Sequence, residues 1–477
     1  MIECMDLPMR IAGQPVRSAT PIAVELPYDG SQVATVYRAT KEDVNRAVQA
    51  AVDAAPVMRE MTRDERSAIL RRVHQAMLER RDALAHAIVS ECGKPMKEAR
   101  IEAERAAYTI LFSSEEAHRL VGEVVPMDAE SIGKNHWAMT VREPLGVIAA
   151  ITPFNFPLNL AMHKIGPALA AGNTVVHKPA STTPISGLLM AGIFEECGLP
   201  KGALNVITGP GGELGDALVF HPEVKMVTFT GSAEVGLRIR NLAGMKKVTL
   251  ELGNNSAVIV EPDADLDEAA SRCVVGSFAH SGQVCISIQR IFVHQQIRDS
   301  FLERIVDGAR KLVIGHPKEN ATDISSLITV KECERVDDWV KEAVESGARL
   351  VAGGSRRERA TIEPTVLADA PESSRVMARE IFGPVVCVNS YDTLDRAIDA
   401  VNRSDYGLQA GIYTRDIYRA FSAARRVHVG GFLINEIPQY RVDQMPYGGV
   451  KMSGTGREGP RYTIEEMTEP KLICWRV

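Results

Sequence analysis

The chain has 477 residues, 45% hydrophobic and 24% charged, with a formal net charge of -6. That length exceeds what one hydrophobic core supports, so two or three domains are expected. The negative balance, without a basic run, excludes general attraction to nucleic acid or anionic membrane.

The N-terminal stretch "MIECMDLPMRIAGQPV" places acidic residues and a proline where a signal peptide would have a basic start and an apolar run. No window reaches the roughly 18 apolar residues of a membrane span. The 8 cysteines are scattered, with no CxxC and no Cys/His pair at zinc spacing. This pattern predicts reduced thiols in a cytoplasm and no metal. The first part is expected to be helical, with Thr40/Asp43 and Thr62/Glu65 spaced as capping boxes. The second box opens one helix running to the stop signals Gly93 and Pro95, and a further helix carries Arg105 to about Leu120. "VPMDAESIGKNHWAMTVREPLG" breaks the helical pattern and is expected to be a hairpin outside the main sheet.

From Gly146 the rhythm becomes strand, turn, helix. "GVIAAIT", "NTVVHK", "LNVIT" and "MVTFTG" alternate with helix-length segments, which predicts a parallel sheet covered on both faces. A second run begins at "SAVIVEP" and continues through "RIFVHQQ", "ARLVAGG", "PVVCVNSY" and "AGIYT" to "GGFLINE". The fold class is therefore α/β with two doubly wound sheets, divided near Glu251 to Ser256.

Chemistry-bearing residues cluster at predicted strand ends, where open α/β sheets bind ligands. In "ITPFNFPLNL", Asn155 is either a turn asparagine or a rigid side-chain amide aimed at an oxyanion. Lys178 in "VVHKPAS" is either a solvated charge or a contact to ribose or phosphate. "TGPGGELG" and "FTGSAEVG" put glycines before helix N-termini, where backbone N–H groups can face a phosphate. Gly209, Gly211 and Gly215 are one residue too widely spaced for the usual dinucleotide fingerprint. Glu251 ends a strand in "LELGNNSAVIV", and Cys285 sits in "SGQVCISIQR" as either a buried thiol or a nucleophile.

Taken in order, "PFNFP", "KPA", "FTGS", "ELG", the cysteine of "GQVC", "EIFGPV" and "PYGGVKMSGTGREG" closely resemble the aldehyde dehydrogenase superfamily over nearly the whole chain. The resemblance implies a Rossmann-like cofactor domain (1–125 and 145–254), a catalytic domain (255–445) and a small β oligomerisation arm (126–144 and 463–477). It implies Cys285 as the nucleophile that forms a thiohemiacetal and then a thioester. Asn155 would serve as oxyanion donor and Glu251 as the base for hydrolysis. A CoA-acylating relative generally lacks that glutamate, so a free carboxylic acid is the expected product. A binding protein descended from the family would have lost the nucleophile. A cysteine esterase would not need the complete cofactor motifs. Thr152, Pro153, Phe154, Lys178, Ser181, Gly211, Gly215, Phe229, Gly231, Ser232, Leu252, Glu380 and Phe382 are the implied contacts to NAD or NADP. Ser181 stands where NAD-preferring relatives often carry glutamate, so dual use leaning to NADP is expected.

Arg105, His163 and Arg441 fall where relatives bind the substrate, each alternatively a structural residue. Arg441 in "YRVDQMPYGG" resembles a lactaldehyde- and phosphonoacetaldehyde-like subgroup. Val284 replaces the arginine that phosphate- and phosphonate-specific relatives place before the cysteine, and Phe156 replaces a polar residue. The expected substrate is a short polar aldehyde of the lactaldehyde type. The alternatives are succinate semialdehyde, another anionic (phospho- or sulfo-) aldehyde, or a broad or aromatic range. A homodimer or homotetramer is expected.

Overall fold

The computed structural model describes residues 4–477. Two large sheets organise it. In the first, of eight strands, the spatial order is Gly454–Thr455, Lys247–Glu251, Val224–Thr230, Val147–Ile151, Thr174–Lys178, Leu204–Val206, Met9–Ile11 and Gln14–Val16. The five strands from Lys247–Glu251 to Leu204–Val206 are parallel, and antiparallel partners close the edges. Chain order reverses beside Val147–Ile151, and that reversal opens a crevice at the strand ends.

Alternate residues of Val147–Ile151 serve two cores, as a period of two requires. Ile148 and Ala150 pack with Met162, Leu169 and Phe194. Val147, Ala149 and Ile151 pack with Val44, Val48, Leu214 and Leu218. Burying one such large side chain contributes about 1.5–3 kcal/mol. The seven-stranded second sheet runs Arg349–Ala352, Thr365–Ala368, Val385–Tyr391, Ile288–His294, Ser256–Val260, Gln409–Tyr413 and Gly431–Ile434. It too is parallel except at Arg349–Ala352 and covered on both faces.

Both capping boxes form, at Thr40 and Thr62. Two expectations need correction. The chain before Thr40 contributes short strands, among them Pro21–Glu25 and Gln32–Tyr37, ahead of the first helix. The single helix expected from Thr62 to Gly93 is two, Arg63–Glu79 and Arg81–Cys92. Its "ERRD" run offers no apolar side chain to carry a buried stripe across the junction, and Arg80 turns outward to pair with Glu196 at 2.5 Å. Gly93 does end the second helix, in the left-handed conformation at φ 68°.

The hairpin forms a separate three-stranded antiparallel sheet of Val124–Val125, His136–Pro144 and Thr468–Arg476. It leaves Trp137, Met139, Leu472, Ile473 and Trp475 exposed. Among the described residues no helix is long and apolar enough to cross a membrane.

Candidate active site

Cys285 follows a turn that few residue types could make. His280, Ser281 and Gly282 are consecutively left-handed, at φ 48°, 54° and 72°. Gly282 has no alternative: a Cβ there would lie 2.0 Å from the Gly383 carbonyl. The His280 and Ser281 conformations each cost on the order of 1–3 kcal/mol and persist only if the surroundings hold them. Here they do. The His280 N–H donates to Glu98 at 3.0 Å, Ser281 Oγ donates to the Ser325 carbonyl at 2.9 Å, and Gln283 Oε1 accepts from the Ile328 N–H at 2.9 Å.

The turn delivers Cys285, partly buried, to the wall of a cavity of about 550 Å³. Burial pushes its thiol up to about 11, opposed by a hydrogen bond with the Tyr447 hydroxyl and by the Arg441 charge. The Sγ to Tyr447 Oη distance is 2.9 Å. Asn155 is buried close by, with Nδ2 donating to the Gln283 carbonyl at 2.9 Å. Glu251 ends its strand with the carboxyl buried under the "YGG" segment; a Cβ at Gly448 would lie 2.9 Å from its Oε1. Neither Glu251 oxygen has a hydrogen-bond partner among the described residues. Burial, then the neighbouring Glu458, raises its carboxyl well above the ordinary range. Burial works on Glu458 too, but Lys164 at 2.5 Å and Arg441 hold it down to about 2.

The residues expected to bind a dinucleotide gather along one edge of the first sheet. Ile151 pairs with both Lys178 and Phe229, and Thr230 pairs with Glu251. Thr152, Lys178, Gly231 and Leu252 therefore lie at neighbouring strand ends. Ser232 caps the helix Ala233–Leu242, and Gly211 begins the helix Gly211–Phe220. A Cβ at Gly211 would meet nothing within 4 Å, so that helix terminus is open. Gly215 lies one turn on, with only Ile151 near, at 4.0 Å. Lys178 is buried, which lowers its ammonium to about 8, and among the described residues Nζ donates only to the Pro179 carbonyl, at 3.0 Å. Its remaining donors fit a ribose. Glu380, raised to about 7 by burial, accepts from the Asn254 N–H at 2.9 Å. Phe382, left-handed at φ 48°, meets Phe154 edge-on at 5.7 Å beside Pro153. The Ser181 hydroxyl donates to the Gly209 carbonyl at 2.8 Å.

The substrate residues divide. Arg105, Phe156, Val284 and Arg441 line the cavity with Cys285. His163 does not. It is fully buried, with Nε2 3.0 Å from Asp443 and 3.2 Å from Arg441. Burial and Arg441 lower its titration, so it is neutral. Arg105 forms a two-pronged contact to Asp443, at 2.8 and 3.1 Å. Burial opposes ionisation of Asp443, but hydrogen bonds from His163 and Arg105 hold its carboxyl far below the usual range.

Several members were not legible as site residues. Tyr447 lay within a quoted motif, yet nothing in its spacing signalled a thiol contact. Asp443, Lys164, Glu458 and Lys94 read as ordinary charges. Lys94 is buried, pairs with Glu102, and sits 3.6 Å from the centre of the Phe156 ring.

Comparison with known proteins agrees with this architecture. The aldehyde dehydrogenase family model matches residues 15–473. A 3-sulfolactaldehyde dehydrogenase of Priestia megaterium is 50% identical over 446 residues, 94% of this chain and 93% of that protein. A lactaldehyde dehydrogenase of Methanococcus aeolicus is 38% identical, over 95% of this chain and 96% of its own length. The NADP-dependent glyceraldehyde-3-phosphate dehydrogenase of Bacillus halodurans, solved with NADP, superposes with a TM-score of 0.96 at 36% identity, covering 99% of both chains. The chain belongs to the aldehyde dehydrogenase family. It is an NAD(P)-dependent oxidoreductase acting on an aldehyde.

Proposed function

We propose that the protein oxidises a short 2-hydroxyaldehyde bearing an acid group, of the 3-sulfolactaldehyde type, to the free carboxylic acid. Arg441 carries this reading. Its side chain is only 6% exposed, yet it lines the same cavity as Cys285, and its Nε has no hydrogen-bond partner among the described residues. Other cations at the cavity are matched by carboxylates: Arg105 by Asp443, Arg272 by Glu436 and Lys97 by Asp323. Behind Arg441, the positive charges of Arg441 and Lys164 face the single negative charge of Glu458, while Glu251 is driven toward its neutral form and His163 is neutral. One positive charge is left over. Guanidinium donors suit a sulfonate or carboxylate, whereas Phe156 and Val284 face the short carbon chain. The names of the two relatives, both referring to three-carbon 2-hydroxyaldehydes, support the same reading. His163 stands behind Arg441, with Nε2 donating to Asp443.

In this reading the Cys285 thiolate attacks the carbonyl carbon. The oxyanion is held by the Cys285 N–H and by the Asn155 amide once it leaves the Gln283 carbonyl. Bound NAD(P) supplies the hydride acceptor. Lys178 and Glu380 hold its riboses, with Ser181 beside the adenosine ribose. Gly211, Gly215, Gly231 and Ser232 meet the phosphates, and Thr152, Pro153, Phe154, Phe229, Leu252 and Phe382 wall its crevice. The acyl group left on Cys285 is hydrolysed by water that Glu251 deprotonates.

We assign residues 1–125 and 145–254 to cofactor binding, 255–445 to catalysis, and 126–144 with 463–477 to self-association. The exposed tryptophans and aliphatic side chains of the small sheet support a homodimer or homotetramer. All eight cysteines are unpaired, which supports a reducing, cytoplasmic location. Initial rates with 3-sulfolactaldehyde, lactaldehyde, succinic semialdehyde and benzaldehyde test the substrate. We expect kcat/KM for the sulfonate to exceed that for lactaldehyde by about 10-fold or more, the worth of one charge-assisted hydrogen bond. The reverse order would make the substrate an uncharged aldehyde.

A further inference from the structure

The only side-chain hydrogen bond to Cys285 Sγ among the described residues comes from Tyr447, at 2.9 Å. Asn155, the other polar group beside the turn, is turned away onto the Gln283 carbonyl. Tyr447 is 2% exposed, and its ring packs with Val284, Ile286 and Leu408 around Phe156 and Cys285. The Arg441 guanidinium carbon stands over the ring, 3.6 Å from its centroid. A cation at that distance draws on the ring electrons and strengthens the phenol as a donor.

We propose that Tyr447 is a catalytic residue whose hydroxyl donates to the Cys285 thiolate, keeping a fraction of the nucleophile ionised inside a wall that otherwise disfavours it. This rests on Cys285 being the nucleophile. The arrangement answers a difficulty in the cavity itself. Val284, Ile286, Phe156 and the Tyr447 ring surround the sulfur with apolar surface, and burial there raises the thiol. A thiol must lose its proton to attack a carbonyl carbon. The hydroxyl supplies one donor at the sulfur without a permanent charge next to the developing oxyanion. Arg441 has two tasks here, lining the cavity beside Cys285 and standing over the Tyr447 ring. Anion recognition and thiol activation thus share one side chain.

The test is alkylation of the full-length enzyme by iodoacetamide across pH 6–11, with the modified peptide identified by mass spectrometry, in wild type, Tyr447→Phe and Cys285→Ala. Loss of a hydrogen bond to a charged group is expected to slow Cys285 alkylation about 10- to 100-fold at pH 8. The gap should hold from pH 8 upward and begin to narrow only near pH 11, where the wild-type thiol loses its proton, and the KM for NADP should not move. Equal rates in Tyr447→Phe and wild type at pH 8, with Cys285→Ala inactive, would overturn the role of Tyr447 alone. Faster alkylation in Tyr447→Phe would also overturn it, because the hydroxyl would then be shielding the sulfur. Retained aldehyde oxidation by Cys285→Ala would overturn the nucleophile assignment itself. If Tyr447→Phe fails to fold, enzyme grown with 3-fluorotyrosine keeps the shape and carries a more acidic phenol. Its alkylation at pH 8 should be faster, and an unchanged rate would overturn the proposal.

Discussion

The dinucleotide edge and the aldehyde cavity meet at Cys285 but are built on different principles. Along the edge, short segments at neighbouring strand ends each bring one or two groups, and strand register does the aligning: Ile151 opposite Lys178, Thr230 opposite Glu251. In the cavity, about 550 Å³ gathers Arg105, Phe156, Cys285 and Arg441 from four distant segments. Long-range contacts such as Arg105 to Asp443 set their charges. The edge is a backbone device that many sequences can make. The cavity is a set of paired and unpaired side chains, and a single exchange can change what it accepts.

The largest effect expected is on the reaction both regions serve. Glu251→Gln should slow deacylation by about 100- to 10,000-fold, the usual worth of a positioned base. A pre-steady-state burst of NAD(P)H should survive, and an undiminished steady-state rate would remove Glu251 from the mechanism. Because burial raises the wild-type carboxyl, deacylation should climb as pH rises and Glu251 loses its proton. The cavity floor comes next. Lys94→Met leaves Glu102 buried without its cation, and breaking such a pair costs about 3–5 kcal/mol. A thermal melt should show a clear drop, and an unchanged transition would mean that Lys94 does not hold the floor.

Two smaller experiments separate the regions. Arg441→Gln should lower kcat/KM for a sulfonated aldehyde about 10- to 100-fold more than for lactaldehyde, with the NADP to NAD ratio unaltered. Ser181→Glu should do the opposite, moving dinucleotide preference toward NAD by about 10-fold through repulsion of a 2′-phosphate, with aldehyde order unaltered. If either variant moves both quantities, the two regions are coupled and the contrast fails. The mildest effect concerns pH. Lys178 is charged below about pH 8 and neutral above it. The KM for the dinucleotide should therefore rise a few-fold between pH 8 and 9, and Lys178→Met should flatten that rise.

How much was legible follows the same division. Most sheet strands from Val147 onward, though not Thr365–Ala368 or Gly454–Thr455, could be read, as could both capping boxes and the Gly93 stop, because each depends on neighbours within a few residues. The break at Arg80 could not, since a polar "ERRD" run suits the exposed turn of one continuous helix as well as a junction between two. The same holds at the site. Cys285, Asn155, Glu251 and Lys178 stand in rigid local settings of glycine, proline and strand ends, so their candidacy was visible in the sequence. His163 and Arg441 were visible as candidate substrate residues, each alternatively structural. That one is buried and neutral against Asp443 while the other keeps an Nε without a partner among the described residues was decided by packing. Nothing in "MPYGG" announced that the Tyr447 hydroxyl would lie 2.9 Å from a sulfur 162 residues away.

By itself the sequence determined the α/β class, the two-sheet order, the family and the reaction type, because strands, turns and reactive residue types are short-range properties. Only the tertiary structure decided which charges are cancelled, which donors stay unpaired and what touches the thiol. Those depend on desolvation and on distances between side chains that the chain brings together only when it folds.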